Sequence, residues 1–246
     1  MYDYWLGGRD NYEVDREAAE QIRASTPSIR EAVKANRAFM RRAVRALVED
    51  YGIRQFIDIG TGIPTSPNTH EVAQAIAPRT RVAYVDNDPI VGVHANARLT
   101  GIGETGFVLA DAREPQVLLD HPTIRSLIDF DEPVAVLLIA LLHFITDKED
   151  PGRIVAELRD ALPAGSYLAL SHGTEDSALE DTIEANRVYQ TATASLNLRP
   201  RREVEALFDG FELLEPGLVT VTRWRPDGTQ ADRQDHGIYA AVGRKL

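Results

Sequence analysis

Three aspartates, each at the end of a short β-rich run, are the residues of this chain best placed to do chemistry. Asp58 lies in Gln55-Phe56-Ile57-Asp58-Ile59-Gly60-Thr61-Gly62, Asp86 follows the run Arg81 to Val85, and Asp111 follows a run near 105–109. Phe56, Ile57 and Ile59 are β-formers in a stretch too short for a helix, and Gly60 and Gly62 punctuate its end. Two glycines one residue apart allow a sharp turn and let a ligand approach where a Cβ would collide. Asp86, 26 positions after Gly60, is placed to accept from both hydroxyls of a ribose. Asp111 can accept from an adenine amino group, with the Ala112 amide meeting a ring nitrogen. Each aspartate alone is an ordinary turn or cap residue. In this order, with the glycine turn, the three point to a nucleoside-bearing cofactor.

These residues need a scaffold that brings strand ends together. Helices are expected over 13–24 and from Ser28, with Glu31 completing a capping box, to Gly52. Val33, Met40, Val44, Leu47 and Val48 mark the buried stripe of the second helix, with Asn36 and Arg37 as solvated neighbours. From Phe56 onward strand, loop and helix alternate: strand 56–59, helix 68–77, strand 81–85, helix 89–99, strand 105–109, a continuously apolar strand within 133–141, helix 150–161 and strand 166–171. Helices near 178–195 and 201–208 and strands at about 211–223 and 238–244 complete the chain. The alternation predicts an α/β fold, a Rossmann-like, doubly wound, mostly parallel seven-stranded sheet with helices on both faces. The expected division is an N-terminal aromatic arm and helical cap, 1–52, on a nucleotide-binding domain, 53–246, in one compact unit.

Composition narrows the partners. The 246 residues carry a formal net charge of −11, which disfavours nucleic acid, and the cluster Arg199, Arg201, Arg202 is too small to reverse this. There is no cysteine, which removes disulfides, thiolate metal sites and a cysteine nucleophile. No apolar run approaches the ~20 residues that span a bilayer, and the start of the chain does not read as a signal peptide. A cytoplasmic protein without membrane partners is expected. No His/Asp/Glu cluster has metal-ligand spacing, so no metal is expected.

The Asp-x-Gly-x-Gly motif resembles the first motif of class I S-adenosylmethionine-dependent methyltransferases. Thr65 stands where a dinucleotide fingerprint would carry its third glycine. The resemblance extends over nearly the whole chain to an actinobacterial S-adenosyl-methyltransferase family, formerly a domain of unknown function. It is carried by Tyr2-Asp3-Tyr4-Trp5-Leu6-Gly7-Gly8, Ala35-Asn36-Arg37-Ala38-Phe39, the glycine motif, Tyr84-Val85-Asp86-Asn87-Asp88-Pro89, Leu142-His143-Phe144 and Glu215-Pro216-Gly217. The resemblance implies S-adenosylmethionine as cofactor and S-adenosylhomocysteine as product. The cofactor site it implies comprises Asp58, Gly60, Thr61, Gly62, Asp86, Asn87, Asp88, Asp111, Ala112, Ala140, Tyr4 and Arg37. Residues 2–12 are either an arm packed on a helix or a flap whose aromatic faces cover the cofactor and receive its sulfonium by cation–π contact.

The acceptor side is less defined. His143 resembles the general base of some small-molecule O-methyltransferases, although methyl transfer also proceeds by proximity and desolvation alone. His172, Asn186 and Tyr189, with Gln190, are the candidate substrate-lining residues. Glu180, Asp181 and Glu184 read as a solvated face. The expected reaction is methyl transfer to a small molecule, more at oxygen than at nitrogen or carbon. No Asn/Asp-Pro-Pro-aromatic motif follows the fourth strand, and no cysteine is present for a covalent base adduct. The alternatives are a non-catalytic module that senses the cofactor or its product, and a nicotinamide-dependent oxidoreductase, which Thr65 and the lack of a Tyr-x-x-x-Lys pair weaken.

Overall fold

The computed structural model describes residues 1–99, 104–176, 196–227 and 235–246. The β-rich runs form strands where expected: β1 (Gln55–Ile59), β2 (Arg81–Asp86), β3 (Thr105–Leu109), β4 (Ala135–Ile139) and β5 (Tyr167–Gly173). These five are parallel, and they align so that their carboxyl ends share one edge: Asp58 pairs with Tyr84 and Leu137, Asp86 with Leu109, and Ile139 with Ser171. The order is β3-β2-β1-β4-β5-β8-β6, with β8 (Ile238–Lys245) antiparallel to both β5 and β6 (Phe211–Leu213). The sheet reverses its direction of growth between β1 and β4, which is the switch point where doubly wound sheets open a crevice.

The strand expected over 211–223 is interrupted. Glu215 to Leu218 bulge out of the ladder, so β6 and β7 (Val219–Thr220) pair separately with β8, in place of one continuous strand there, and the sheet has eight strands among the described residues.

Alternation within the strands sends side chains to two cores. Ile57, Ile59, Val85, Val136, Leu138 and Leu170 pack on the face covered by α6 (Pro115–Leu119), α7 (Pro122–Leu127), α8 (Pro151–Ala161) and α9 (Arg201–Ala206). Phe56, Val82, Tyr84, Leu137 and Ala169 pack on the other, against Phe39, Met40, Val44 and Leu47 of α3 (Ile29–Glu49) and residues of α4 (Thr69–Gln74) and α5 (Pro89–Arg98). The expected stripe of α3 is therefore buried, and α3 shares the core of the sheet. Two expectations fail on this helix. Ser28 is its N-cap without a side-chain cap hydrogen bond, and Asn36, expected in solvent, is fully buried.

A smaller third cluster joins Trp5 of α1 (Tyr2–Trp5), Ala19 and Ile22 of α2 (Glu13–Ser25) and Val33, with Phe144 and Leu196 packed against it. The arm is thus tied to the loop that follows β4. The expected helix over 178–195, with Glu180, Asp181, Glu184, Asn186, Tyr189 and Gln190, lies outside the described residues. Among the described residues, no helix is long and apolar enough to cross a membrane.

Candidate active site

At the ends of β1 and β2 the chain closes on itself through a carboxylate. Gly60 and Gly62 adopt φ +75° and +64°, a left-handed region that favours glycine. This lets Gly62 N donate to Asp86 Oδ2 at 2.8 Å, while Asp88 N donates to Asp86 Oδ1 at 3.0 Å. Gly60 has a second constraint: a Cβ there would lie 2.7 Å from Leu141 Cδ1, in the loop after β4. At Gly62 the same atom would meet open space. Burial raises the Asp86 carboxyl above its ordinary range, opposed by the amides of Asp88 and Gly62.

Asp58 is buried, and Thr69 Oγ1, at the start of α4, donates to its Oδ2 at 2.6 Å. Burial pushes Asp58 upward as well, opposed by the Thr69 hydroxyl and the nearby Arg37 cation. Arg37 Nη2 donates to the carbonyls of Thr65 (2.5 Å) and Pro67 (2.9 Å), so α3 holds the loop beyond the glycine turn. Thr61 N donates to the Val85 carbonyl at 3.2 Å.

Asp88 caps α5, accepting from Ile90 N at 2.8 Å, and Pro89 opens that helix. Asn87 Nδ2 donates to Asp111 Oδ2 at 3.0 Å, and Asp111 also accepts from Arg113 N (2.9 Å) and Arg113 Nη1 (3.1 Å). The tips of β2 and β3 are thereby linked. Ala112 is buried beside them, and Ala140, at φ +54°, turns the chain out of β4, its amide held by Ser171 Oγ at 2.9 Å.

The arm meets this site through a residue that the sequence reading passed over. Asp3 is buried; its Oδ2 accepts from Asn11 Nδ2 (2.7 Å) and Asp10 N (3.2 Å), and Thr65 Oγ1 lies 3.3 Å from its Oδ1. Asp10 in turn pairs with Arg98 of α5 at 2.5 and 3.0 Å. Gly8 permits this fold-back, because a Cβ there would fall 1.9 Å from Asp3 Oδ1. Tyr4, expected over the cofactor, points elsewhere. Its hydroxyl donates to Glu20 Oε1 at 2.8 Å and its ring lies under the Arg30 guanidinium, 5.6 Å from the centroid. The ring already has a cation, so the sulfonium contact assigned to Tyr4 is not supported by the geometry. Tyr2 turns inward instead, its hydroxyl accepting from Asn36 Nδ2 at 3.0 Å.

The ends of β4 and β5 carry the two histidines, and both correct the sequence reading. His172 is completely buried rather than pocket-lining. Its Nδ1 contacts the Gly173 carbonyl at 2.6 Å and its Nε2 the Arg199 Nη1 at 2.9 Å, so both ring nitrogens are used inside the protein. Burial brings its pKa down to about 4. His143 Nδ1 accepts from Gly173 N at 3.2 Å, which spends the lone pair a base would need. Burial, His172 and Arg199 hold its pKa well below the ordinary value, so the ring is neutral.

Arg199, read from sequence as part of a small basic cluster, is the buried hub of this half. It donates to the carbonyls of Leu142 (3.1 Å) and Ile145 (2.9 Å) and to Asp147 Oδ1 (2.7 Å) as well as meeting His172. No local signal marks it, because its partners lie more than 25 positions away.

A doubly wound sheet with its last strand antiparallel, a glycine turn closed on an acidic strand tip, and further carboxylates along the same edge define a class I methyltransferase. A family model described as S-adenosyl methyltransferase matches residues 1–246, and the chain belongs to that family. A DUF574 family protein from Streptomyces avermitilis is 45% identical over 100% of this chain and 95% of its own, with a TM-score of 0.96. A protein from Thermobifida fusca is 38% identical over 99% of this chain and 92% of its own, with a TM-score of 0.93. Human N-acetylserotonin methyltransferase, solved with S-adenosylmethionine, shares the fold at 12% identity, a TM-score of 0.54, and coverage of 100% of this chain and 62% of its own. No curated protein sequence matches the chain. The chain is an S-adenosylmethionine-dependent methyltransferase.

The residues present fit that cofactor. The space beside Gly62 is open, and Asn36 Oδ1 and Arg37 Nε are buried polar atoms without a partner. Among the described residues Arg37 forms no ion pair, although buried polar groups are ordinarily satisfied.

Proposed function

We propose that the chain transfers a methyl group to a small-molecule acceptor, at oxygen, with the cofactor held along the ends of β1, β2 and β3. The observation that carries the reading is the Gly62–Asp86 closure at 2.8 Å. It fixes a carboxylate at the tip of β2 and leaves acceptor capacity for a ribose diol. When bound, the cofactor supplies an electrophilic methyl group on a sulfonium.

In this reading Asp58, Gly60, Thr61 and Gly62 hold the methionine end, and Arg37 pairs with its carboxylate. Asp86 and Asn87 take the ribose, and Asp111 with the Ala112 amide takes the adenine. Asp88 positions this edge by capping α5, and Ala140 by turning the chain after β4. Residues 1–52 act as a cap on the 53–246 unit, and the arm, pinned through Asp3 and Asp10, excludes water from the crevice.

Three features support a small molecule and an oxygen nucleophile. The net charge of −11 opposes a phosphate backbone. The sequence after β4, Ala140-Leu141-Leu142-His143, lacks the Asn/Asp-Pro-Pro-aromatic arrangement suited to amino nitrogens, and there is no cysteine for a carbon adduct. A cytoplasmic location accords with this composition. Incubation with S-adenosylmethionine and a panel of phenols, carboxylic acids and amines tests the reading, with product masses and S-adenosylhomocysteine as readouts. O-methylated products are expected, and N-methylated products alone would contradict it.

A further inference from the structure

We infer that His143 acts as a hydrogen-bond donor through Nε2–H, and that the acceptor it serves is a small-molecule carboxylate. The inference rests on the methyltransferase reading above and names the acceptor class.

The tautomer follows from the neighbours. Gly173 N donates to His143 Nδ1, so the proton of the neutral ring sits on Nε2. The ring is held edge-on by Phe144 at 4.5 Å and His172 at 5.5 Å between centroids. Its carbonyl accepts from Asn197 N at 2.7 Å and Asn197 Nδ2 at 3.3 Å. Among the described residues Nε2 makes no hydrogen bond, and the side chain is buried, 8% exposed. A buried donor fixed in direction and without a partner among the described residues is arranged for something that binds. It lies two residues beyond Leu141, the side chain that abuts Gly60 of the glycine turn, so the donor sits in the loop that touches that turn.

Charge around the ring selects what that ligand is. Among the described residues, the charged and titratable groups facing His143 are His172, neutral and fully buried, and the Arg199 cation beyond it. Among the described residues the carboxylate on Arg199 is Asp147, whose side chain is 86% exposed. A buried cation so poorly compensated leaves a positive potential at the strand ends. That potential opposes an imidazolium and favours an anion. A hydroxyl acceptor would gain no proton acceptor from His143, which has no lone pair to give. A carboxylate arrives already ionised. Its oxygen forms the new bond to the methyl carbon as the carbon–sulfur bond breaks, and the electron pair of that bond stays on sulfur. The sulfonium and carboxylate charges cancel, and no proton is released.

The test uses the full chain saturated with S-adenosylhomocysteine and two probes of one shape, benzoate and benzamide. Benzoate is expected to bind more tightly than benzamide. Benzoate binding should fall roughly 10- to 100-fold in His143→Phe, the worth of a hydrogen bond to a charged group, and be retained within a few-fold in His143→Gln, which keeps a donor and cannot act as a base. Nitrogen-15 spectra of histidine-labelled protein, assigned through His143→Gln, should show the neutral Nε2–H form unchanged between pH 8 and pH 5. Equal binding of the two probes, an Nδ1–H tautomer, or titration of His143 near pH 6.5 would each overturn the inference. Failure of S-adenosylhomocysteine to bind is read separately and would strike the methyltransferase reading instead.

Discussion

The two halves of the strand edge are built from opposite chemistry. At the ends of β1 to β3 the side chains are carboxylates, and those of Asp86 and Asp111 are held by backbone amides of the strand-end turns: Gly62 and Asp88 on Asp86, Arg113 on Asp111. At the ends of β4 and β5 they are neutral imidazoles and one buried guanidinium, held by groups from distant parts of the chain. The first half is acceptor-rich, suited to the hydroxyls and amino groups of a nucleoside. The second is donor-rich, suited to an anion. The loop after β4 joins them, with Leu141 under Gly60 and Arg113 Nε on Glu149 Oε1 at 2.8 Å.

That contrast is sharpest at Arg199. Arg199→Met would strip donors from two buried carbonyls and from His172 Nε2, and a loss of about 3–5 kcal/mol in unfolding free energy is expected. S-adenosylhomocysteine affinity, measured below the new melting point, should change only a few-fold. A parallel loss of cofactor affinity would show that the halves are one unit.

His172 makes the same point through pH. Its folded pKa of about 4 lies below the ordinary 6.5, so between these values the unfolded state binds the extra proton. Stability is complete above pH 6.5 and declines as pH falls toward 4, by roughly 3 kcal/mol in all. Denaturation of the wild type and His172→Gln across this range should show a flatter curve for the variant. Equal slopes would mean that other groups dominate the acid limb.

Within the cofactor half, Gly8→Ala forces Asp3 away from Asn11 and Asp10. A local loss of about 1–2 kcal/mol is expected, seen as faster amide exchange over residues 3–11. The smallest effect belongs to Tyr4→Phe, which removes one half-exposed hydrogen bond to Glu20 and should leave cofactor affinity unchanged. A tenfold loss there would restore the aromatic flap.

The legibility of the sequence follows the same division. Asp58, Asp86, Asp111 and the glycine pair are readable because each is defined by its own strand end, within a few residues. The mostly parallel sheet follows from the alternation of elements for a similar reason. Arg199 is not readable, because its environment is made by Leu142, Ile145 and His172, which only the fold brings near. Asn36 has the spacing of a buried stripe and the polarity of a surface residue, and packing decided between them. Tyr4 sits in a motif with the right composition, but the direction of its ring depends on Glu20 and Arg30. The helices α6 and α7, five and six residues long, are too short to show a period, and the bulge at Glu215 to Leu218 divides a strand that reads as continuous.

The separation of the halves is tested most directly by calorimetric titration of S-adenosylhomocysteine into the wild type, Asp86→Ala and His143→Phe. Loss of the proposed ribose acceptor, which also anchors the glycine turn, should weaken binding at least 100-fold in Asp86→Ala, while His143→Phe binds as the wild type does. Undiminished binding to Asp86→Ala, or equal losses in both variants, would contradict the account.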